Sequence, residues 1–483
     1  MMKKELIIAL NYALNKGFQI HPDAFKFLEN VDIRKLEKII KEIVREKTKQ
    51  KLFQINQDDL EVYLGIKENQ PLQNDHKIIF DPTLKITTGE GVKGYNALFS
   101  SRFNKLKRII SDRPESRMLK SIASAKTIKS EDDMYVCGLV TTRSTERNIT
   151  KLVLEDPSGS FEGIIFDAEL QKTAGTLLSD QFIMARIGFG KNTGFIIKDL
   201  ISPDIPDQAS NRSETETYAA FLSDLHIGSK YFMEEEFSEF VLWLSSPDPI
   251  ARKIRFVLIC GDLVDGVGIY PNQDKELVCQ TIEEQLKKVE GLLSKIPNYI
   301  KIFIMPGNHD PGRRALPQPA IPKKYNSGLW EKENVFMVGN PAVISLNEVK
   351  VMMFHGQSID DIVKTTPGLS YDKPTNVMKH LLRARHLSPI YGSQTPIAPE
   401  MEDLMVIDEI PDIFHVGHVH RAEVDMYKGI LLLNSGSWQK QTPFQASVGM
   451  TPNPGITLIV NLKTFKVYYE SYNSNKLNNI LQS

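Results

Sequence analysis

The stretch Lys301-Ile302-Phe303-Ile304-Met305-Pro306-Gly307-Asn308-His309-Asp310 runs a strand-length apolar segment straight into a turn of polar, chemistry-bearing residues. Four other stretches repeat the arrangement. Tyr218–Leu222 leads into Asp224-Leu225-His226, and Phe256–Cys260 into Gly261-Asp262-Leu263-Val264-Asp265. Val349–Phe354 leads into His355-Gly356, and Ile413–Val416 into Gly417-His418-Val419-His420. Helix-patterned segments separate these strands, which predicts an α/β domain over residues 217–472. In such domains ligands gather beyond the carboxyl ends of the strands, where all five motifs fall.

The residue types suit a divalent cation. Residues two apart in an extended chain face the same side, so Asp224 with His226, and His418 with His420, are expected to converge. Glycines 261, 307 and 417 permit tight turns close to an ion. Carboxylate, imidazole and carboxamide donors together fit Mn²⁺, Fe²⁺ or Zn²⁺. Five of the ten histidines lie in these motifs; His21, His76, His380, His386 and His415 read as structural.

At 483 residues the chain has room for about three domains. With 41% hydrophobic and 25% charged residues it is no collagen, disulfide scaffold or disordered chain. No apolar run has membrane-spanning length. Three scattered cysteines, Cys137, Cys260 and Cys279, exclude a disulfide framework and fit a reducing, cytoplasmic setting. Residues 1–66 read as a helical domain, with Leu6, Leu10 and Leu14 on one stripe and Leu36, Ile39, Ile40 and Ile43 on another. Residues 67–94 read as a linker and 95–130 as a basic helical segment with Phe99, Phe103, Leu106 and Ile110 on its apolar face. Five short strands over 131–205 suit an OB-fold barrel. Its sparse aromatics favour a protein contact over nucleic acid. A second linker, 206–216, precedes the α/β domain, and 473–483 form a tail.

Net charge is −1, so the whole chain gives no preference for a polyanion. Locally, Arg102 to Lys129 is strongly basic. It reads either as a solvated helix face or as a nucleic-acid contact through Lys105, Lys107 and Arg108, with Arg313 and Arg314 as further candidates.

The order of the five motifs resembles the calcineurin-like metallophosphoesterase superfamily, which implies a four-layer α/β/β/α sandwich holding two metals. That resemblance assigns Asp224, His226 and His420 to one ion, Asn308, His355 and His418 to the other, and Asp262 to both. His309 would protonate the leaving oxygen, and Asp265 would orient its imidazole. Further stretches narrow the resemblance: Arg313–Ala320, His355–Asp361, Arg385–Gly392, Ile397–Glu400, and Asn434–Gln439 with Gln441-Thr442. Together, over about Tyr95 to Leu462, these look like the small subunits of archaeal family D DNA polymerases. Two departures stand out: the segment before the barrel is short, and Gly312 replaces a larger residue. Eukaryotic polymerase B-subunits share the architecture but have lost metal ligands, whereas every ligand position is filled here. The resemblance implies a two-metal 3′→5′ exonuclease, with Mn²⁺ the expected ion, that proofreads single-stranded 3′ ends alongside a large catalytic subunit in the cytoplasm. The rival readings are a non-catalytic scaffold for that subunit and a different phosphodiesterase.

Overall fold

The computed structural model describes residues 4–29, 36–49, 53–63, 74–128, 132–190, 193–325, 327–447 and 449–472. The tail expected at 473–483 and the first part of the expected linker, 67–73, lie outside these. The chain folds as two compact units, Met1–Gln73 with Val241–Ile254, and Asn74–Phe240 with Arg255–Ser483.

In the first unit the helices Lys4–Asn15, Pro22–Glu29, Leu36–Lys49 and Gln57–Tyr63 enclose an apolar core. Leu36, Ile39, Ile40 and Ile43 are buried as their spacing requires. Leu14 is not: it is 54% exposed, and Leu6, Ala9, Leu10 and Ala13 form the buried stripe instead. Two small alanines let the helix sit close to its neighbours, and a count of large apolar residues overlooks them.

The second unit contains a barrel and a sandwich. Five strands, Met134–Glu146, Ile149–Asp156, Gly159–Ile165, Phe182–Gly190 and Gly194–Ile201, form the barrel. The third and fifth pair in parallel, and the first closes on the fourth through Met134–Leu139 against Ile187–Phe182. Closure leaves no free edge, and alternate residues such as Val136, Leu152, Leu154 and Ile183 fill the interior.

Two six-stranded sheets make the sandwich. One carries Tyr218–Leu222, Ile254–Cys260 and Lys301–Met305 at its centre; the other carries Val349–Phe354 and Ile413–Val416. Between them Phe221, Leu258, Met305, Met353 and Leu433 are wholly buried. On the outer face of the second sheet, helix Pro374–Ala384 packs Val377, Met378, Leu381 and Leu382 against Phe354 and Phe414. The linker expected at 67–94 needs correcting, because His76–Phe80 adds an edge strand to the second sheet, antiparallel to Ala342–Leu346. Five residues with a partner far along the chain give no local signal of strand.

The helix Gly91–Ile110 is fixed to the sandwich by a buried ion pair. Arg102 Nε donates to Asp403 Oδ2 at 2.8 Å, and Arg102 Nη1 donates to the Pro389 carbonyl at 2.7 Å. His386 Nε2 stands 3.0 Å from the same carboxylate oxygen. Burial disfavours the charge on Asp403, but His386 and Arg102 outweigh it and hold the carboxyl well below its usual range. Removing one member of such a pair strands the other. Arg102→Met is therefore expected to cost about 3–5 kcal/mol, read as a lowered unfolding midpoint in denaturant, whereas a surface Arg→Met control should move it little.

Candidate metal centre

All five motifs meet at one end of the sandwich. Asp224, His226 and His420 offer ligand atoms within 4.8 Å of one another, and so do Asp262, His355 and His418. Asp262 Oδ2 lies 3.3 Å from His355 Nε2 and 3.9 Å from His226 Nε2, between the two groups. Asn308 Oδ1 is 3.0 Å from His355 Nε2. The seven expected ligands are thus brought together.

The convergence has a different backbone origin from the one the sequence suggests. Asp224, His226, Asp262, His418 and His420 do not continue their strands; all have left-handed backbone, with φ of 53°, 50°, 51°, 71° and 56°. Asp, Asn and His tolerate this region better than most residues, so the types that bind ions are also types that can adopt the turn. Each such residue costs on the order of 1 kcal/mol or more, held by the packed sheets behind it. Gly307 and Gly417 make room: a Cβ on either would collide with Asp262 or Asp224.

Each of the four expected imidazole ligands has its second nitrogen engaged. His226 Nδ1 donates to Asp265 Oδ1 at 3.1 Å, and His355 Nδ1 to the Cys260 carbonyl at 2.8 Å. His418 Nε2 faces Asp360 Oδ2 at 3.1 Å, and His420 Nδ1 faces Gln445 Nε2 at 2.9 Å. Such outer partners fix ring orientation at metal sites. Asp360 and Gln445 carry no signal of this role in the sequence, since what marks them is a partner on another loop.

The donor set fits cations. Asp224 Oδ1 is buried and has no hydrogen-bond partner, although His420 Nε2 stands 3.4 Å away. An unmatched buried carboxylate oxygen is costly unless a positive charge faces it. Protons respond to the same field. Burial would lower the pKa of His355, yet Asp262 and Asp224 raise it to about 10; for His226, Asp265 and Asp262 outweigh burial and raise it to about 8. Asp262, despite burial, is held well below the usual carboxylate range by His355 and His309.

His309 differs from these four. Its Nδ1 donates to the backbone carbonyl of Asp265 at 2.7 Å, leaving Nε2 toward the cavity, 3.9 Å from Asp262 Oδ2. Burial and the neighbouring His226 lower its pKa, against the pull of Asp262. The expected link from Asp265 to His309 therefore runs through the main chain, while the Asp265 carboxylate serves His226. Asp310, buried, binds the loops together by accepting from the backbone N–H groups of Gly307, Leu263 and Val264.

The expected DNA contacts fare differently. Lys105 pairs with Glu402 at 2.6 Å and donates to the Asp403 carbonyl at 2.9 Å. Arg313 pairs with Glu400 at 2.5 Å and donates to the Pro317 carbonyl. Both pin the chain to itself, which corrects their reading as phosphate contacts. Arg108 is exposed but reaches Asp408 at 3.2 Å. Lys107, over the Phe103 ring at 5.8 Å, and Arg314 are exposed.

Asp360→Asn should keep the fold but loosen His418. Divalent-ion affinity should fall about 10–100-fold in titration calorimetry with Mn²⁺. Unchanged affinity would remove His418 from the donor set.

The chain is similar to known proteins to differing degrees. A family model for the B subunit of DNA polymerase alpha/epsilon matches residues 219–424. The DNA polymerase II small subunit of Archaeoglobus fulgidus is 39% identical over 385 residues, spanning 78% of this chain and 77% of the relative. That of Pyrococcus horikoshii is 36% identical over 418 residues, spanning 82% and 67%. A solved archaeal phosphodiesterase is 12% identical with a TM-score of 0.28, covering 53% of this chain and 99% of its own. By its identity to the two polymerase relatives over most of its length, the chain belongs to the family of DNA polymerase II small subunits.

Proposed function

We propose that this chain is the proofreading subunit of a two-subunit DNA polymerase and hydrolyses DNA phosphodiester bonds as a 3′→5′ exonuclease with two divalent ions. The observation that carries the reading is the set of four imidazoles, each anchored at one nitrogen, of which His226, His355 and His420 turn the other toward buried Asp224 or Asp262. A scaffold with an idle site has no need of those anchors.

Asp224, His226 and His420 hold one ion, Asn308, His355 and His418 the other, and Asp262 lies between. When bound, the ions supply Lewis-acid stabilisation of phosphoryl charge and a nucleophile at neutral pH. The chain's own contribution is orientation and a proton. With Nδ1 donating to the Asp265 carbonyl, His309 in its doubly protonated form presents Nε2–H to the departing 3′-oxygen and is left as the neutral Nδ1–H ring once that proton is given.

Docking on a large polymerase subunit is the second part of the proposal. Leu84, Val92 and Met401 are 96%, 76% and 52% exposed. Their segments are joined by hydrogen bonds from Met401 N to the Thr87 carbonyl and from Gly89 N to the Pro399 carbonyl. An exposed apolar group of this kind on a family of subunits supports burial by the partner.

Two outcomes are expected. Asp262→Ala should lose both metal and activity, whereas His309→Ala should retain metal and lose about 10²–10⁴-fold in rate on DNA. Its loss on bis-p-nitrophenyl phosphate, whose leaving group needs no proton, should be far smaller; equal losses would exclude His309 as the acid. Co-expression with the large subunit should give a one-to-one complex on size exclusion, and the double variant Val92→Glu, Met401→Glu should weaken it. An unaffected complex would place the interface elsewhere.

A further inference from the structure

The cavity over the metal centre, about 300 Å³, has two unlike walls. One is made of the carboxylates and imidazoles already described. The other is apolar, built from Ile269, Tyr270, Phe444 and Met450. Phosphate chemistry has no use for this second wall.

Phe444, which lines this cavity, is 57% exposed. Its ring lies nearly parallel to that of Tyr270, at 20° with centroids 6.3 Å apart. Both rings are tied to the centre. Phe444 precedes Gln445, whose amide holds His420, on the short helix Pro443–Ser447. Tyr270 is fixed by its hydroxyl, which donates to Glu276 at 3.1 Å. Its loop is tied back by Gln273, which accepts from Ile269 N and donates to the Asp265 carboxylate. The flat faces therefore stand in set positions relative to the ions' ligands.

We propose that Phe444, backed by Tyr270, is a stacking ledge for the nucleobase of the 3′-terminal nucleotide, so that the substrate is recognised by an aromatic face on one wall and a phosphodiester on the other. The inference rests on the phosphodiesterase reading of the metal centre and adds what that centre selects. Stacking is tolerant of sequence because every base offers a π-face, as removal of any terminal nucleotide requires. It also favours an unpaired end, whose base is free to leave its own stack.

The test uses the full-length chain and a single strand ending in 2-aminopurine. With Mn²⁺ present and a hydrolysis-resistant phosphorothioate as the terminal linkage, wild-type protein should quench the terminal fluorophore; Phe444→Ala should lose the quenching and Phe444→Trp restore it. With Mn²⁺, wild type should cleave a strand with a normal 3′ base faster than one with an abasic 3′ end. Phe444→Ala should lower kcat/KM on the normal strand by roughly 5- to 150-fold and bring the ratio near one. Unaltered quenching in Phe444→Ala, or an unaltered base-to-abasic ratio, would overturn the ledge. Absence of wild-type hydrolysis of bis-p-nitrophenyl phosphate would instead overturn the phosphodiesterase reading, leaving the fluorescence to judge the ledge.

Discussion

The candidate metal centre depends on one buried carboxylate. Asp265 sits 0% exposed, where an ionised group survives only if its lone pairs are matched. They are: Oδ1 accepts from His226 Nδ1 and Gln439 Nε2, and Oδ2 accepts from Gln273 Nε2. Its carbonyl accepts from His309 Nδ1 and from Gln273, and its N–H donates to the Ile227 carbonyl. A ligand-bearing imidazole and the proposed proton donor thus hang from one residue, on its side chain and its main chain. Their separation is fixed by covalent geometry, and neither ring can shift without unsettling the other.

That rigidity is sustained by the sheets. Five ligand residues in left-handed backbone would relax if their loops were free. They cannot, because each follows a strand whose apolar side chains are locked in the core between or beside the sheets, Phe221, Leu258 and Phe414 among them. Close packing of those residues supplies the opposing free energy. The consequence is a site at which small changes of volume in the core reach the ligands through a single turn of chain.

Much of this is legible in the sequence, and the reasons are local. Tyr218–Leu222, Val349–Phe354 and Ile413–Val416 match their strands residue for residue, because fully buried strands are continuous apolar runs with abrupt polar ends. Ligand types follow from chemistry. What cannot be read is long-range. Lys105 looks like a free cation until its partner, 298 positions away, is folded against it. The strand His76–Phe80 exists only through Ala342–Leu346. Asp360 and Gln445 are ordinary polar residues until an imidazole arrives beside each. Asp224 and His226 converge as residues two apart in a strand would, yet through a different backbone. Alternation in a strand and two left-handed residues in a turn can bring the same pair together.

The partly paired basic helix bears on how DNA would reach the site under the proposed function. Lys105 and Arg313 are committed to Glu402 and Glu400, while Lys107, Arg108, Arg117, Lys120 and Lys126 stay exposed along the same stretch, and net charge is −1. Counterion release, the usual source of affinity for a phosphate backbone, would have to come from these exposed cations rather than from Lys105 and Arg313. The centre itself contributes Asp224, Asp262, Asp265 and Asp360, which repel a phosphodiester until cations offset them. On the proposed function, ions are then needed for approach to the centre as well as for chemistry.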